Sequence, residues 1–333
     1  MADHTFPFRV AAKRAKRVKR QIATSLSSRS KTAKGTRCVR SLLTVGLIPV
    51  VGGSDVGNGK PGRYVGSNGY DSLVSFGALV HSTKKPHTLI CGTVPSINSF
   101  DRGQYYATHS NAFWHIVGDA FGHRRKEPDG GWRNKNGGKV RVPDFIHSNL
   151  LYQEPCLSYE EQVELLLSNG YALWDVLQTC DRMGATDSKI KNPVPSDIRG
   201  FCMKYPSISK ICFASGASTA SYFRKYNKQW LQQSNGFTFS SNSATQKVFK
   251  AYIQGKQCSK FNQTASRKRN TRDDDSIHLV VMYSVSPAYN RPWKNTPDNP
   301  QASRHMYTDK RAFWFREAFG IEPPKDEHRY YDE

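Results

Sequence analysis

An aromatic-rich segment around Asn111 carries the most informative chemistry of this 333-residue chain. It reads Gln104-Tyr-Tyr-Ala-Thr-His-Ser-Asn-Ala-Phe-Trp114, and it surrounds one neutral amide with two tyrosines, a histidine, a phenylalanine and a tryptophan. Flat rings stack on nucleobases, and an amide both accepts and donates hydrogen bonds, so it can orient a water molecule or contact a base edge. The segment therefore predicts a pocket for a base taken out of a nucleic acid.

The charge of the chain favours a polyanionic partner. The net charge is +22, and the first fifty residues supply half of it, with twelve Lys or Arg and one Asp. The remainder therefore stays basic, as expected of a protein that binds nucleic acid. Because the sequence has no 20-residue apolar run, we expect no membrane partner.

The cysteines predict neither a metal site nor a disulfide framework. Their number is odd, and no two form a Cys-x-x-Cys pair. We therefore expect buried free thiols in a reducing compartment, no metal and no cofactor.

Residues 1–69 are predicted to form a basic tail followed by a glycine-rich linker. The tail is rich in Lys, Arg, Ser and Thr, and such a composition cannot bury a core. The run at residues 13–20 has six Lys or Arg, which favours a nuclear-localisation or nucleic-acid patch and a nuclear protein. The acid-poor composition also suits a transit peptide for a mitochondrion or plastid. A solvated tail with neither role is the third interpretation.

The rest of the chain alternates short apolar segments with helical patterns. Strands are expected at residues 87–92, 170–177, 208–215 and 278–284, and helices at 111–121, 158–167, 196–204, 216–226 and 309–319. This alternation predicts an α/β protein, a three-layer α/β/α sandwich with a central, mostly parallel four-stranded sheet. Ligands of such sheets bind outside the carboxyl ends of the strands.

One folded domain is predicted over residues 70–322, followed by a short polar tail at 323–333. Two polar segments interrupt the alternation, at about 122–143 and 230–276. We interpret both as loop insertions of the domain.

Six segments together resemble the hypoxanthine-DNA glycosylase (DNA-deoxyinosine glycosylase) family of the uracil-DNA glycosylase superfamily. The segments are Leu89-Ile-Cys-Gly-Thr-Val-Pro-Ser96, residues 104–114, Ala172-Leu-Trp-Asp-Val-Leu177, Asp187-Ser-Lys-Ile190, Ile211-Cys-Phe-Ala-Ser-Gly216 and Ser284-Val-Ser-Pro-Ala288. The resemblance covers roughly residues 87–320, and the second segment is its most specific part.

The resemblance implies a uracil-DNA glycosylase-like fold and hydrolysis of the N-glycosidic bond of a deaminated base in DNA, with hypoxanthine favoured. In much of the superfamily the motif after the first sheet strand carries an Asp or Asn that activates water. Here that motif is Gly92-Thr-Val-Pro-Ser96, which lacks both. The family pattern therefore assigns the catalytic role to Asn111. No lysine lies in a pocket motif to form a Schiff base, so a monofunctional enzyme is expected.

The expected site has two parts. The base pocket is expected to consist of Gly92, Thr93, Val94, Pro95, Ser96, Tyr105, Tyr106, His109, Phe113 and Asp175. The DNA-binding loop is expected to consist of Ser284, Ser286, Pro287, Ala288, Tyr289, Arg291 and Lys294. Ser110 and Tyr289 stand where the family has Arg and Asn.

Structural interpretations remain open for several of these residues. Asn111 also suits the N-cap of the helix that follows it. Trp114 fits a core position, and His109 an ordinary loop. Asp175, which ends a buried strand, either orients pocket groups or satisfies backbone donors.

Two other functions also remain open at this stage. One keeps the fold but removes uracil or another mispaired pyrimidine. The other is a module that binds damaged DNA without cleaving it, which Ser110 and the motif without a carboxylate favour.

Overall fold

The structure is a computed structural model, and it describes residues 61–65, 69–128, 131–133, 137–185, 187–233, 237–241, 277–287 and 306–324. Its strands are β1 (Gly62–Val65), β2 (Asp71–Val74), β3 (Thr88–Gly92), β4 (Arg124–Arg125), β5 (Cys156–Leu157), β6 (Tyr171–Asp175), β7 (Leu177–Arg182), β8 (Ile190–Pro195), β9 (Lys210–Phe213), β10 (Phe237–Ser241) and β11 (Ile277–Val281). Its α-helices are α1 (Ile97–Arg102), α2 (Phe113–Phe121), α3 (Asp144–His147), α4 (Tyr159–Ser168), α5 (Ile198–Lys204), α6 (Ala217–Tyr226), α7 (Lys228–Gln233) and α8 (Met306–Trp314).

A parallel sheet forms the centre of the fold, with the strand order β10-β11-β9-β3-β6. Every residue of β3 and β6 is buried, as expected for strands that helices cover on both faces. The four predicted strands are the four adjacent strands β11, β9, β3 and β6, so the mostly parallel α/β sheet is confirmed.

A fifth strand, β10, extends this sheet at its edge and pairs in parallel with β11. It lies within residues 230–276, which the sequence analysis interpreted as a loop insertion. The polar composition of that region gave no signal for this short edge strand. Helix α7 starts just before the region, at Lys228, and ends within it, at Gln233. The rest of the region, from residue 242 to 276, lies outside the described residues.

A second sheet, which the sequence pattern did not predict, is antiparallel and has the order β1-β2-β7-β8. Strand β1 lies in the stretch that was expected to be linker, and each of its residues pairs with β2. Strand β7 begins two residues after β6 ends, so a single apolar run in the sequence supplies strands to two sheets.

Two apolar clusters lie on the two faces of the parallel sheet. One contains Phe113, Trp114 and Trp314 from α2 and α8, and the other contains Phe201 and Phe223 from α5 and α6. Helices therefore cover both faces, which gives the predicted three layers. Trp114 is 1% exposed and is a core residue, in agreement with its structural interpretation.

The helix signals in the sequence are largely reproduced. Ser158 and Glu161 form the predicted capping box at the start of α4. The last helix starts three residues earlier than predicted, and residues Phe315–Phe319 continue it as a π-helical turn.

The five cysteines within the described residues are free thiols, as expected, but one of them is not buried. Cys91, Cys180, Cys202 and Cys212 are buried, whereas Cys156 is exposed. Across the described ranges, no helix is long and apolar enough to cross a membrane. The same residues contain no group of three or more His, Cys, Asp or Glu that could hold a metal ion.

Candidate functional site

A cavity of about 530 Å³ opens at the carboxyl ends of the parallel strands. It is lined by residues that follow β3, by Asp175 at the end of β6, and by loops after β9 and β11. The lining residues include Gly92, Thr93, Val94, Pro95, Ser96, Tyr105, Tyr106, Asn111, Asp175, Arg182, Asp187, Ser218, Ser284, Ser286 and Pro287. Twelve of these were predicted from the sequence, and they come from four separate segments of the chain.

Strand register explains why the first two segments meet. Gly92 and Asp175 are the last residues of β3 and β6, and they are direct partners in the parallel ladder. A Cβ on Gly92 would lie 2.6 Å from Asp175 Oδ1 and 3.2 Å from the Tyr106 hydroxyl oxygen. Only glycine therefore lets the Asp175 carboxyl and the Tyr106 hydroxyl both approach the floor of the cavity.

Asp175 is a pocket residue and not simply an acceptor for backbone donors. Its side chain is 2% exposed, and its Oδ2 atom accepts a hydrogen bond from the Ser75 hydroxyl at 2.7 Å. Burial raises the pKa of this carboxyl to about 7, although the hydrogen bonds of Ser75 and Tyr105 oppose that shift. Near neutral pH the group is therefore present in both the carboxylate and the carboxylic-acid form, and the acid can donate a hydrogen bond.

The two tyrosines of the second segment have different roles. Tyr105 is 2% exposed, and its hydroxyl donates to the Gly77 carbonyl at 2.7 Å, so the ring is largely structural. Tyr106 has a φ of 54°, which turns its ring to stack on Phe113 at a centroid distance of 4.2 Å. Its hydroxyl is buried and has no hydrogen-bond partner among the described residues. Tyr106 thus presents an unsatisfied polar atom beside Gly92.

Asn111 lies at the wall of the cavity, just before α2. Its Oδ1 atom accepts a hydrogen bond from the Phe113 backbone N–H at 2.9 Å, which fixes the orientation of the amide. Asn111 was predicted as a possible N-cap of α2, but Ala112 holds that position and makes no side-chain cap. Asn111, one residue earlier, still satisfies the first backbone N–H of the helix. One lone pair of Oδ1 and the amide NH₂ remain for a ligand in the cavity.

The loop after β11 is hydrogen-bonded through its backbone to the residue that follows Asn111. The Ala112 N–H donates to the Val285 carbonyl at 3.0 Å, and the Val285 N–H donates to the Ala214 carbonyl at 3.1 Å. Ser284 and Ser286 are therefore held at the rim of the cavity, with the Ser284 hydroxyl accepting from the Ser286 N–H at 3.3 Å. The predicted residues Ala288, Tyr289, Arg291 and Lys294 lie outside the described residues.

A carboxylate that the sequence analysis did not assign to the site also lines the cavity. Asp187 Oδ2 accepts hydrogen bonds from the hydroxyls of Thr93 at 2.8 Å and Ser218 at 2.9 Å. Its side chain is 26% exposed. The motif at residues 92–96 has no carboxylate of its own. The hydrogen bond from Thr93 holds the carboxylate of Asp187, from a distant loop, beside this motif. The family segment Asp187-Ser-Lys-Ile190 contained the signal for this residue.

A buried cation completes the cavity wall. Arg182, at the end of β7, is 3% exposed, and its Nη2 atom donates to the Pro95 carbonyl at 2.9 Å. Its Nη1 atom lies 4.0 Å from Asp187 Oδ1, and its Nε has no hydrogen-bond partner within the described part of the chain. Burial lowers the pKa of this guanidinium, and Asp187 opposes the shift. Arg182 therefore supplies a positive charge to the wall of the cavity.

Two residues predicted for the base pocket do not reach it. Phe113 is fully buried and supports Tyr106 from behind, because its position on α2 directs it into the core. His109 stacks on Trp132 at a centroid distance of 6.4 Å, on the other side of the segment. Burial and the neighbouring Arg102 and Arg125 lower the pKa of its imidazole.

Comparison with known proteins finds a related sequence and similar solved structures. A Methanosarcina acetivorans protein named hypoxanthine DNA glycosylase is 29% identical over 125 residues, which are 38% of this chain and 61% of that protein. The match therefore spans less than two thirds of the relative's length. It confirms the resemblance that the six segments predicted. The solution NMR structure of a candidate uracil DNA glycosylase, also from Methanosarcina acetivorans, superposes with a TM-score of 0.37 and 20% identity, covering 72% of this chain and 97% of the other. No protein-family model matches the chain.

Proposed function

We propose that this relative of the hypoxanthine-DNA glycosylase family is a DNA repair glycosylase that flips a deaminated base out of DNA and hydrolyses its N-glycosidic bond. The preferred base is hypoxanthine, and the product is an abasic site. The observation that carries the proposal is the cavity at the strand ends, where Asn111, Asp175 and Asp187 meet. At about 530 Å³ it has room for a purine, and its openness to one side suits a nucleotide that enters from a strand.

The substrate must first leave the duplex. Flipping costs a few kcal/mol, and the cost is smallest for a base that pairs badly, as hypoxanthine does opposite thymine. Stacking on an aromatic ring returns about 1–3 kcal/mol. Tyr106 is the ring best suited to this, because it lines the cavity and Phe113 holds its orientation from behind.

Bond cleavage then produces an oxocarbenium-like sugar, as in other glycoside hydrolyses. The C1′–N bond breaks with its electron pair leaving on the base, and the oxygen of a water molecule forms the new bond to C1′. The proton that this water loses ends on the departing base, so both products are neutral. Asn111 orients this water, which is sufficient because a developing oxocarbenium ion reacts with a weak nucleophile. The negative charge of Asp187 favours the positive sugar in the transition state.

The departing base carries the negative charge of the broken bond. Arg182 is the cation of the cavity, and the acid form of Asp175 is a neutral donor. Either group can stabilise the base as it leaves. Tyr106 adds a hydroxyl that can contact the same base.

The test is a single-turnover cleavage assay on short duplexes that carry hypoxanthine, xanthine, uracil or only normal bases, followed by hot alkali. Breaks at hypoxanthine are expected. Breaks chiefly at uracil would show that the enzyme prefers a pyrimidine. Tight binding without any breaks would show that the protein binds damaged DNA but does not cleave the N-glycosidic bond.

Two variants test the assigned roles. Asn111→Ala is expected to lose cleavage by roughly 100-fold or more while it still binds the duplex, since water orientation acts on the chemical step. Asp187→Asn is expected to slow cleavage at saturating protein with little change in affinity. Asn98→Ala is the matched control, because this exposed amide on α1 does not line the cavity and donates to the Thr108 hydroxyl at 3.2 Å. Cleavage by Asn111→Ala at the control's rate would exclude the catalytic assignment.

A further inference from the structure

A second cavity, of about 680 Å³, lies on the other side of the segment that carries Asn111. We call it the Arg–Trp groove and define it by Arg102, Gln104, Arg125, Lys126, Trp132 and Arg133. Its lining has four cations and one carboxylate, Glu127. Much of the groove comes from the segment at 122–143, which was expected to be a plain loop insertion.

Two guanidinium groups are held close together in this groove. Arg102 Nη1 and Arg125 Nη1 both donate to the Ala107 carbonyl, at 3.3 and 3.1 Å. Arg125 Nη2 also donates to Gln104 Oε1 at 3.0 Å. Neither arginine has a carboxylate within 4.0 Å among the residues that the structure describes.

The ring of Trp132 supports both cations. The guanidinium carbons of Arg102 and Arg125 lie 4.7 and 4.5 Å from its centroid, within the range of cation–π attraction. Burial, followed by the charge of Arg102, lowers the pKa of Arg125 to about 10, so the Arg125 guanidinium stays charged at neutral pH. Two like charges that are fixed at one site, with no described carboxylate within ion-pair distance, create a preference for an anion.

We infer that the Arg–Trp groove binds a backbone phosphodiester of the DNA strand that carries, or lies opposite, the flipped base. The 104–111 segment separates the groove from the base cavity, since Tyr106 and Asn111 line one side and Gln104 lines the other. A nucleotide chain that delivers a base to one side of this segment has phosphates a few ångströms away along its backbone. Planar guanidinium groups bind such phosphates in a bidentate manner.

The inference rests on the proposed function for the identity of the strand, but its test is separate. Binding of a fluorescent hypoxanthine duplex is measured at several salt concentrations for the wild type, Arg102→Gln, Lys126→Gln and the double variant. Arg199→Gln is the control, because this exposed arginine on α5 lines neither cavity. Lys126 is exposed, so Lys126→Gln is not expected to disturb the fold.

We expect the double variant to bind about tenfold more weakly, with the slope of log K against log salt shallower by about 0.9 for each phosphate contact that is lost. Arg199→Gln, outside both cavities, should keep the affinity, the slope and the single-turnover cleavage rate of the wild type. If the wild type cleaves no substrate and the slope still changes, the groove is supported and the proposed function fails.

Unchanged affinity and slope, or changes no larger than those of Arg199→Gln, would overturn the inference. A free nucleotide is the other source of a phosphate. If millimolar deoxynucleoside monophosphate raises the melting temperature of the wild type but not of the double variant, while the salt slope for DNA stays the same, the groove holds a nucleotide and the strand assignment is excluded.

Discussion

The Asp175 carboxyl has the most unusual chemistry of any single residue in the cavity. It is buried beside Gly92, and the hydroxyls of Ser75 and Tyr105 and the charge of Arg182 only partly offset the effect of burial on its charged form. A folded-state pKa of about 7, raised from 3.8, means that folding disfavours the charged form. The site therefore retains a proton donor near neutral pH. The raised pKa also lowers the free energy of unfolding at higher pH, where the carboxyl must ionise.

This shift predicts how stability depends on pH. A group whose pKa is raised on folding contributes its full stability below its unfolded value, and loses that contribution as the pH rises through about 7. Asp175→Asn removes the effect and keeps an acceptor for Ser75. The free energy of unfolding of the variant relative to the wild type should therefore increase by about 2 kcal/mol between pH 5 and pH 8.

Chemical denaturation at both pH values measures this difference. His115 and His123, whose pKa values burial lowers to about 4 and about 3, affect both proteins alike and cancel in the comparison. Asp101→Asn, at an exposed position, should leave the difference constant. A constant difference for Asp175→Asn as well would show that this carboxyl is ionised throughout the range.

The sequence allowed much of this site to be predicted, but only where residues lie within a motif. Gly92, Tyr106 and Asn111 belong to contiguous segments whose composition indicates a pocket, and the parallel register brings Asp175 to them. Asp187 and Arg182 could not be placed in this way, because tertiary contacts to Thr93 and Pro95 bring them to the cavity. His109 and Phe113 were placed in the pocket because composition does not reveal the direction of a side chain.

At the scale of elements, Asp119 joins the two helices that cover one face of the sheet. Its carboxylate accepts hydrogen bonds from Arg124, from Tyr307 at 2.9 Å and from Arg311 at 2.6 Å. Asp119 is 1% exposed, and both arginines are buried. This buried network links α2 to α8 across nearly 200 residues of sequence, behind the helix that Asn111 precedes.

Removing its central charge should be strongly destabilising. Asp119→Ala takes a buried carboxylate away from the guanidinium groups of Arg124 and Arg311, and breaking a buried pair in this way costs about 3–5 kcal/mol. Urea denaturation should detect the loss, whereas Asp101→Ala at an exposed position should stay within about 0.5 kcal/mol of the wild type. A loss below about 1 kcal/mol for Asp119→Ala would mean that the network does not hold the two helices together.

The elements themselves were predictable to different extents. The four apolar strands of the parallel sheet have a continuous apolar pattern that only burial on both faces explains. The antiparallel sheet has no such pattern, because β8, for example, has only intermediate and exposed positions. The edge strand β10 lies in a polar stretch, and its pairing with β11 depends on a partner that is distant in the sequence.

For the whole molecule, charge is distributed between a basic tail and a basic folded body. The first fifty residues hold twelve Lys or Arg and one Asp, half of the net charge of +22, and they lie outside the described residues. If the folded domain binds DNA through its cavity and the Arg–Trp groove, the tail adds further phosphate contacts that do not depend on sequence. Such contacts release counter-ions and make affinity depend steeply on salt.

Deleting residues 1–60 should therefore weaken DNA binding by about tenfold at 0.1 M salt and make the salt dependence shallower, while single-turnover cleavage at saturating protein stays the same. Replacing the six Lys and Arg of residues 13–20 with Gln preserves the length of the tail and should reproduce part of the effect. Equal affinity and slope for all three proteins would remove the tail from DNA binding. Its basic run would then be left to the targeting role, nuclear or organellar, that its composition also suits.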